Sequence, residues 1–312
     1  MLSVLITILP VFLILGAGYF IGRIRYLPDS VADGLNAYAL KVGVPILLFL
    51  AMYRLDFSRA FDWQMLLSFY VGAVFSFYCG IIISRAFWGR RPGESVAVGF
   101  CAVFSNTLLI GFPIAQLVFG DTILAPVFGI VALHASLLYT LGMTTMEFTR
   151  QDGRPLMETL KAAFTSVMAN PLMVGIVIGL LFNLFNIPLF GALENALDMI
   201  KATAIPVSLM GIGIALNRYS ISKEFAETIM VCFLAMFIHP AITFVLAYYV
   251  FDLDILFVQA AVVLAAMPPG MNIYVFANLY QRALGLAAST LIIGNVIGVF
   301  TIPLWLILLQ SL

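Results

Sequence analysis

The chain has 312 residues, of which 63% are hydrophobic and only 10% are charged, and its formal net charge is zero. Soluble domains contain about 45–50% apolar and about 25% charged residues, so this composition excludes an ordinary soluble domain and indicates a membrane protein. The neutral balance of charge offers no basic surface to nucleic acid.

Ten apolar segments of the chain are long enough to cross a bilayer as helices, which takes about 20 mainly apolar residues. The predicted spans are residues 3–22, 35–53, 63–88, 95–118, 122–147, 168–187, 193–216, 225–250, 255–280 and 284–309. The longest polar connection runs from about Phe148 to Lys161. No basic region precedes the first apolar segment, so we expect it to remain as a membrane helix rather than be cleaved as a signal peptide. The sequence therefore predicts an all-α membrane protein.

Basic residues gather on alternate connections between these spans. With the N-terminus outside, the cytoplasmic connections hold Arg23, Arg25, Arg85, Arg90, Arg91, Arg150, Arg154, Lys161, Arg218, Lys223 and Arg282. The outer connections hold only Arg54 and Arg59. Because Lys and Arg are enriched on the cytoplasmic side of membrane proteins, we expect a multi-pass protein with both termini outside.

A shift of 161 positions aligns the chain with itself. Under this shift equivalent residues coincide: Pro10 with Pro171, Pro45 with Pro206, Gly18 with Gly179, and polar His134 with polar Asn295. We predict a first five-helix repeat over residues 1–147, a cytoplasmic connection over 148–167, and a second five-helix repeat over 168–312. Because five is odd, the second repeat enters the membrane from the opposite side and is inverted.

One apolar segment in each repeat is interrupted, at Ser105–Pro113 and at Met267–Tyr274. Proline removes a backbone donor and clashes with the preceding turn, and the freed backbone groups cannot face lipid. The residues predicted to break the helices are Gly111, Pro113, Pro268, Pro269 and Gly270. We therefore predict that broken helices 4 and 9 cross near the membrane midplane, which is where transporters bind their substrates.

These interruptions also carry a resemblance to a known family. The matching pieces are Asn106 through Pro113, Met267 through Ala277, Val44 through Phe49 and Ile205 through Leu209. With the span count and the repeat, the whole chain resembles the auxin efflux carrier family, which includes bacterial organic-acid permeases and the plant PIN proteins. The chain lacks the long central loop of many PIN proteins, so it is similar to the compact bacterial type.

The resemblance implies a secondary transporter of the elevator type in a bacterial inner membrane. Helices 1, 2, 6 and 7 would form a scaffold, and helices 3–5 and 8–10 would form a transport domain that moves against it. The resemblance further implies a homodimer through the scaffold and a small organic anion, such as a malonate- or malate-like carboxylate, as substrate. A carrier for an aromatic, auxin-like acid stays open as an alternative.

Four polar residues in the interruptions are candidates for substrate binding. Asn106 and Asn272 can each donate and accept hydrogen bonds. They could bind a carboxylate at a half-helix N-terminus, where the helix dipole favours an anion, or they could satisfy the broken backbone. Thr107 and Tyr274 are further candidates for substrate contact, with simple packing as the alternative.

Polar residues inside apolar spans provide two more candidates, His134 and Asn295. An ionisable group within the membrane is a functional hypothesis by default, and His134 could bind substrate or handle a proton. For both residues a hydrogen-bonded packing role is the alternative. His239, directly before Pro240, is expected to cap a kink.

Two lysines, Lys41 and Lys201, lie within predicted spans at nearly one repeat length from each other. We expect each to extend its ammonium group to an interface. Asp198 precedes Lys201 by one helical turn and could pair with it. The alternative is an electropositive wall that faces an anionic substrate.

The motifs of other functional classes do not occur in the sequence. It has no Gly-x-x-x-x-Gly-Lys-Ser/Thr and no His-Glu-x-x-His, and no nucleophile and base form a credible set. We predict that the chain is not an enzyme and has no catalytic residue, metal or cofactor, with only the substrate and the bilayer as ligands. A cation or proton antiporter of similar inverted-repeat fold is the nearest rival, and the lack of a mid-membrane acid in the predicted transport domain counts against it.

Overall fold

The computed structural model describes residues 2–55, 61–149, 171–219 and 224–312, which are almost entirely helical and include no β-strand. The helices are α1 (Leu2–Arg23), α2 (Asp29–Tyr38), α3 (Val44–Tyr53), α4 (Trp63–Trp88), α5 (Pro92–Val103), α6 (Phe112–Phe119), α7 (Leu124–Thr149), α8 (Pro171–Leu184), α9 (Gly191–Leu216), α10 (Phe225–Phe233), α11 (His239–Phe244), α12 (Ile255–Ala265), α13 (Asn272–Tyr280) and α14 (Leu284–Gln310). The predicted connection over residues 148–167 lies outside the described residues from Arg150 onward.

Among the described residues, seven stretches of helix are long and apolar enough to cross a membrane. They are Val4–Arg23, Ser30–Tyr53, Trp63–Trp88, Asp121–Thr149, Gly191–Leu216, Phe225–Val250 and Leu284–Gln310. The prediction of an all-helical, multi-pass membrane protein is thereby confirmed. The other three predicted spans, 95–118, 168–187 and 255–280, correspond to shorter apolar helices, and the arrangement of ten spans in two inverted repeats stays a prediction.

Polar residues at the ends of apolar segments set the limits of the helices. The Asp62 carboxylate accepts the Met65 N–H at 2.8 Å and so caps the N-terminus of α4. The same helix ends at Gly89, whose φ of 63° is the left-handed conformation that favours glycine. Asp254 caps α12 by accepting the Leu256 N–H at 2.9 Å. These caps satisfy terminal groups that have no partner within the helix.

Three prolines are accommodated inside helical segments by π-helical turns. The turns Ala39–Gly43, Thr107–Gly111 and Leu234–Ile238 end two residues before Pro45, Pro113 and Pro240, respectively. A π-turn moves the backbone hydrogen bonds from the fourth to the fifth preceding residue, which displaces the carbonyl that a proline ring would otherwise meet. His239 follows the third of these turns, and its side chain bonds to the Phe69 carbonyl at 3.1 Å rather than to its own helix.

The described residues divide into two compact units. The first consists of the described parts of Met1–Thr7, Phe61–Ala163 and Tyr219–Leu312, and the second of those of Ile8–Ala60 and Phe164–Arg218. The first unit contains both interrupted segments, and its core includes the fully buried rings of Phe69, Phe77, Phe100 and Phe276.

In the second unit, helices approach each other closely at two glycines. A Cβ atom on Gly18 would overlap the main-chain oxygen of Met210, and a Cβ atom on Gly179 would overlap that of Phe49. The shift of 161 positions carries Gly18 onto Gly179 and Phe49 onto Met210. The two contacts are therefore equivalent in the way that a two-fold axis makes contacts equivalent.

A charged cluster of the second unit accounts for the predicted partner of Lys201. Arg54 donates to Asp198 at 3.0 and 2.7 Å and to Glu194 at 2.7 Å. These hydrogen bonds, first to Asp198 and then to Glu194, raise the pKa of the Arg54 guanidinium above its ordinary value. Lys201 approaches Asp198 only to 4.0 Å. The predicted pair is therefore present but secondary to Arg54, and ion pairs as exposed as these contribute little to stability.

Candidate functional site

The two interrupted segments of the first unit meet at their breaks. The Asn106 N–H donates to the Pro268 carbonyl at 2.9 Å. The Gly270 N–H donates to the Phe104 carbonyl at the same distance, and the two bonds form a short antiparallel bridge. Each break thus satisfies main-chain groups that the other leaves without a helical partner, as buried backbone requires.

Asn106 begins the helical segment that follows the first break. Its Oδ1 atom accepts the Leu109 N–H at 3.2 Å, which makes the side chain an N-cap. Its Nδ2 group has no hydrogen-bond partner among the described residues. The oxygen of Asn106 therefore has a structural role, and the nitrogen keeps both of its donors free.

The first break lies at the start of the predicted interruption Ser105–Pro113. The chain leaves the α5 helix at Phe104, before Gly111 and Pro113 rather than at them. Gly111 lies in the π-turn, where its N–H donates to the Asn106 carbonyl at 3.0 Å. Pro113 lies in the first turn of α6, where a helix tolerates a residue without an N–H. In the second segment the predicted residues do lie in the break: Pro268, Pro269 and Gly270.

Helix α7 contacts the first break through His134. The side chain is 3% exposed, and its Nε2–H donates to the Ser105 carbonyl at 3.1 Å. Because Nε2 carries the proton in the neutral ring, Nδ1 is an acceptor, and it has no partner among the described residues. The Phe104 ring packs edge-on against the imidazole, with 4.8 Å between ring centroids. These contacts give His134 a positioning role, while its contact with substrate stays a prediction.

The same helix contacts the second break through Tyr139. Its hydroxyl donates to Asn272 Oδ1 at 3.2 Å. Asn272 is the first residue of α13, directly after the break, and its Nδ2 group has no partner among the described residues. Tyr139 is not a candidate in the sequence analysis, because nothing in the sequence distinguishes this tyrosine from the others in apolar segments.

The other predicted candidates are Thr107, Tyr274 and Asn295. Thr107 is buried immediately after the first break. The Tyr274 ring packs edge-on against Tyr219, with 4.6 Å between centroids. The Asn295 Nδ2 group donates to the Leu291 carbonyl of its own helix at 2.7 Å. Within the described part of the chain, neither Tyr274 nor Asn295 forms a hydrogen bond to the bridge.

A buried acid that the sequence analysis did not consider lies in the first turn of α10. Glu227 is fully buried, and Arg90 donates to both of its carboxylate oxygens at 2.6–3.1 Å. Arg90 also pairs with Glu224. Hydrogen bonds to these carboxylates, Glu227 first, raise the pKa of the Arg90 guanidinium. The only sequence signal was the position of Glu227 at the start of an apolar segment, directly after the basic connection that holds Arg218 and Lys223.

Within the described part of the chain, no group of three or more His, Cys, Asp or Glu side chains could hold a metal ion. The groups at the breaks are backbone, amide, imidazole and phenol groups, all of which can form hydrogen bonds.

Comparison with known proteins identifies the relatives of this chain. An uncharacterized transporter of Methanothermobacter thermautotrophicus is 24% identical, with 97% of each chain covered. A protein of Rhizobium meliloti named "Putative malonate transporter" is 23% identical, with 97% of this chain and 95% of the relative covered. An uncharacterized transporter of Escherichia coli is 22% identical, with 96% and 95% covered.

The sequence pattern of a transport family matches almost the whole chain, over residues 3–306, and its description is "Membrane transport protein". This match confirms the family resemblance and supports a transporter rather than an enzyme. The paired interruptions, the apolar helices and the match over residues 3–306 agree, and the chain belongs to the membrane transport protein family.

Proposed function

We propose that this protein is a secondary transporter that binds a small organic anion at the paired breaks and moves it by alternating access. The observation that carries the proposal is the backbone bridge between the breaks, from which two helical segments begin at Asn106 and Asn272. The N-terminus of a helix carries a partial positive charge, which suits a carboxylate.

The polarity of Asn106 favours an anion over a cation. Its amide oxygen is occupied by the Leu109 N–H, and its free nitrogen can only donate. A carboxylate accepts such hydrogen bonds, whereas a metal cation needs oxygen ligands. The buried acid that a cation antiporter could use, Glu227, is already neutralised by Arg90, so the antiporter alternative gains no support from it.

The proposed architecture has ten spans in two inverted repeats, with both termini outside, in a bacterial inner membrane. The equivalent contacts at Gly18 and Gly179 support the repeat. Helices 1, 2, 6 and 7 would form a dimeric scaffold, and helices 3–5 and 8–10 would form a transport domain that moves in an elevator mechanism. The division of the described residues into two units supports this assignment of helices.

A malonate-like dicarboxylate is the proposed substrate. Its support is the name of the Rhizobium meliloti relative, at 23% identity. An aromatic acid is the second candidate, because the rings of Phe104 and Tyr139 lie beside the breaks, with 5.6 Å between centroids.

Uptake of labelled malonate into proteoliposomes, in competition with malate and indole-3-acetate, distinguishes these substrates. Absence of both uptake and competition by any acid would overturn the proposal.

Substitutions at Asn106 separate its two roles. Asp caps helices as well as Asn does, so Asn106→Asp should keep the melting temperature of the protein while its charge abolishes malonate uptake. Asn106→Ala should lower stability by about 1 kcal/mol and weaken malonate binding about tenfold, since a hydrogen bond to a charged group is worth about 1.5–3 kcal/mol. Asn278→Ala, an exposed asparagine of α13, is the control and should transport normally. Normal uptake by Asn106→Asp would exclude an anion at this residue.

A further inference from the structure

The ring of Tyr139 is held in place by aromatic neighbours beside the second break. Its centroid lies 5.5 Å from that of Phe100, 5.6 Å from that of Phe104 and 6.4 Å from that of Phe276. The Phe100 and Phe276 rings are fully buried and stack on each other at 3.8 Å. A phenol ring packed in this way has little freedom to rotate, so the position of its hydroxyl group is determined by the fold.

This hydroxyl group contacts the acceptor end of the Asn272 amide. It donates to Oδ1 of Asn272 at 3.2 Å, and the nitrogen on the opposite side of the amide has no partner among the described residues. The terminal torsion of an asparagine is broad and roughly two-fold. Without a partner for the oxygen, the amide could turn over and present an acceptor instead of donors.

At both breaks the asparagine oxygen therefore accepts a hydrogen bond, but from a different kind of donor. Asn106 has its oxygen bonded to the Leu109 N–H, and Asn272 has its oxygen bonded to Tyr139. A backbone N–H and a tyrosine hydroxyl serve the same purpose, which is to occupy the acceptor. In both side chains the oxygen thus already accepts one hydrogen bond, while both N–H donors are available to a ligand.

We propose that Tyr139 is a positioning residue for selectivity: it holds the Asn272 amide in the orientation that presents its N–H donors to the ligand, so that the transporter prefers a carboxylate to a neutral amide of the same shape. The inference rests on the proposed function, because it assumes that the ligand binds between the breaks. Tyr139 acts through Asn272 and need not touch the ligand itself.

The test measures binding of malonate and of malonamate, in which a neutral amide replaces one carboxylate, to the purified full-length protein by calorimetry. Wild-type protein should bind malonate more tightly than malonamate. Tyr139→Phe, which removes only the hydroxyl group, should weaken malonate binding about tenfold, as expected for one lost hydrogen bond near a charged group. It should weaken malonamate binding less, because the released Asn272 amide can turn its oxygen to the ligand's N–H₂ group. The ratio of the two affinities should therefore fall.

A matched control removes a comparable hydroxyl group elsewhere in the same unit. The Tyr70 hydroxyl donates to the Ile130 carbonyl at 3.1 Å and has no contact with Asn272 in the structure. Tyr70→Phe should leave the ratio of malonate to malonamate affinity unchanged. A general loss of packing would change the stability of either variant but would not change this ratio.

A double-mutant cycle tests whether Tyr139 acts through Asn272. In an Asn272→Ala background, Tyr139→Phe should have no further effect on the affinity ratio. An equal effect in both backgrounds, or an unchanged ratio in the single Tyr139→Phe variant, would overturn the role of Tyr139 alone. Wild-type protein that binds neither compound would overturn the proposed substrate class, and this inference with it.

Discussion

Asn106 uses its two polar atoms for different purposes, and the sequence could not show this division. From the sequence, its amide could either repair the broken backbone or bind a ligand. In the structure the oxygen caps the segment that begins at Thr107, and the nitrogen is free among the described residues. Both proposed roles are therefore compatible, because an asparagine side chain has an acceptor and a donor on separate atoms.

The ion pair between Arg90 and Glu227 leads to a prediction at the scale of single residues. Glu227 is fully buried and Arg90 is its partner, so Arg90→Ala leaves an uncompensated charge in the interior. Loss of one partner of a buried pair costs about 3–5 kcal/mol, and thermal unfolding in detergent should show a clear drop in melting temperature. The double variant Arg90→Ala/Glu227→Gln should recover part of the loss. A single variant as stable as wild type would show that water already solvates this carboxylate.

At the scale of elements, prolines do not end these helices as simply as the sequence suggests. Pro113 was predicted to break its segment, yet it lies within the first turn of α6, after the π-turn Thr107–Gly111. Pro45 and Pro240 follow π-turns with the same spacing. The reason is geometric, because the wider turn displaces the carbonyl that would clash with the ring. Whether a helix stops at a proline or adapts to it depends on the backbone before the proline, which the proline itself does not reveal.

Because α4 and α5 pack closely at Gly99, we expect this position to tolerate no side chain without cost. A Cβ atom at this position would lie 2.6 Å from the Phe77 main-chain oxygen. Gly99→Ala should therefore lower the melting temperature, since overpacking of this kind costs about 1–3 kcal/mol.

Gly93 lies in the same helix and provides the control. A Cβ atom there would come no closer than 3.5 Å to the Met146 Sδ atom. Gly93→Ala should be neutral or slightly stabilising, because alanine favours a helix by up to about 1 kcal/mol over glycine. Equal melting temperatures for the Gly99 and Gly93 variants would show that α4 and α5 can separate without cost.

At the scale of the whole molecule, each of the two compact units draws on both predicted repeats. The predicted helices 1, 2, 6 and 7 cover residues 3–22, 35–53, 168–187 and 193–216, and all described residues of these spans after Thr7 belong to the second unit. Sequence adjacency alone would have grouped each repeat as one unit. Transport measurements are the test of the roles of the two units.

The proposed topology predicts which residues a membrane-impermeant maleimide can label from outside intact cells. In a variant without Cys79, Cys101 and Cys232, a cysteine at Ser311 should be labelled, because ten spans return the C-terminus to the outside. Cysteines at Arg23 and Arg282 should be labelled only after the cells are opened. Labelling of Arg282→Cys in intact cells, or protection of Ser311→Cys, would contradict the orientation.

The sequence by itself determined the membrane class, the helical fold, the two interrupted segments and the asparagines within them. These features follow from hydropathy and from the chemistry of Pro, Gly and Asn, which act over a few neighbouring residues. Only the tertiary structure decided that the breaks pair with each other, that Tyr139 bonds to Asn272, and that Arg90 bonds to Glu227. The partners in the last two pairs are 133 and 137 positions apart. Contacts over such distances depend on how whole helices pack, and no local pattern encodes them.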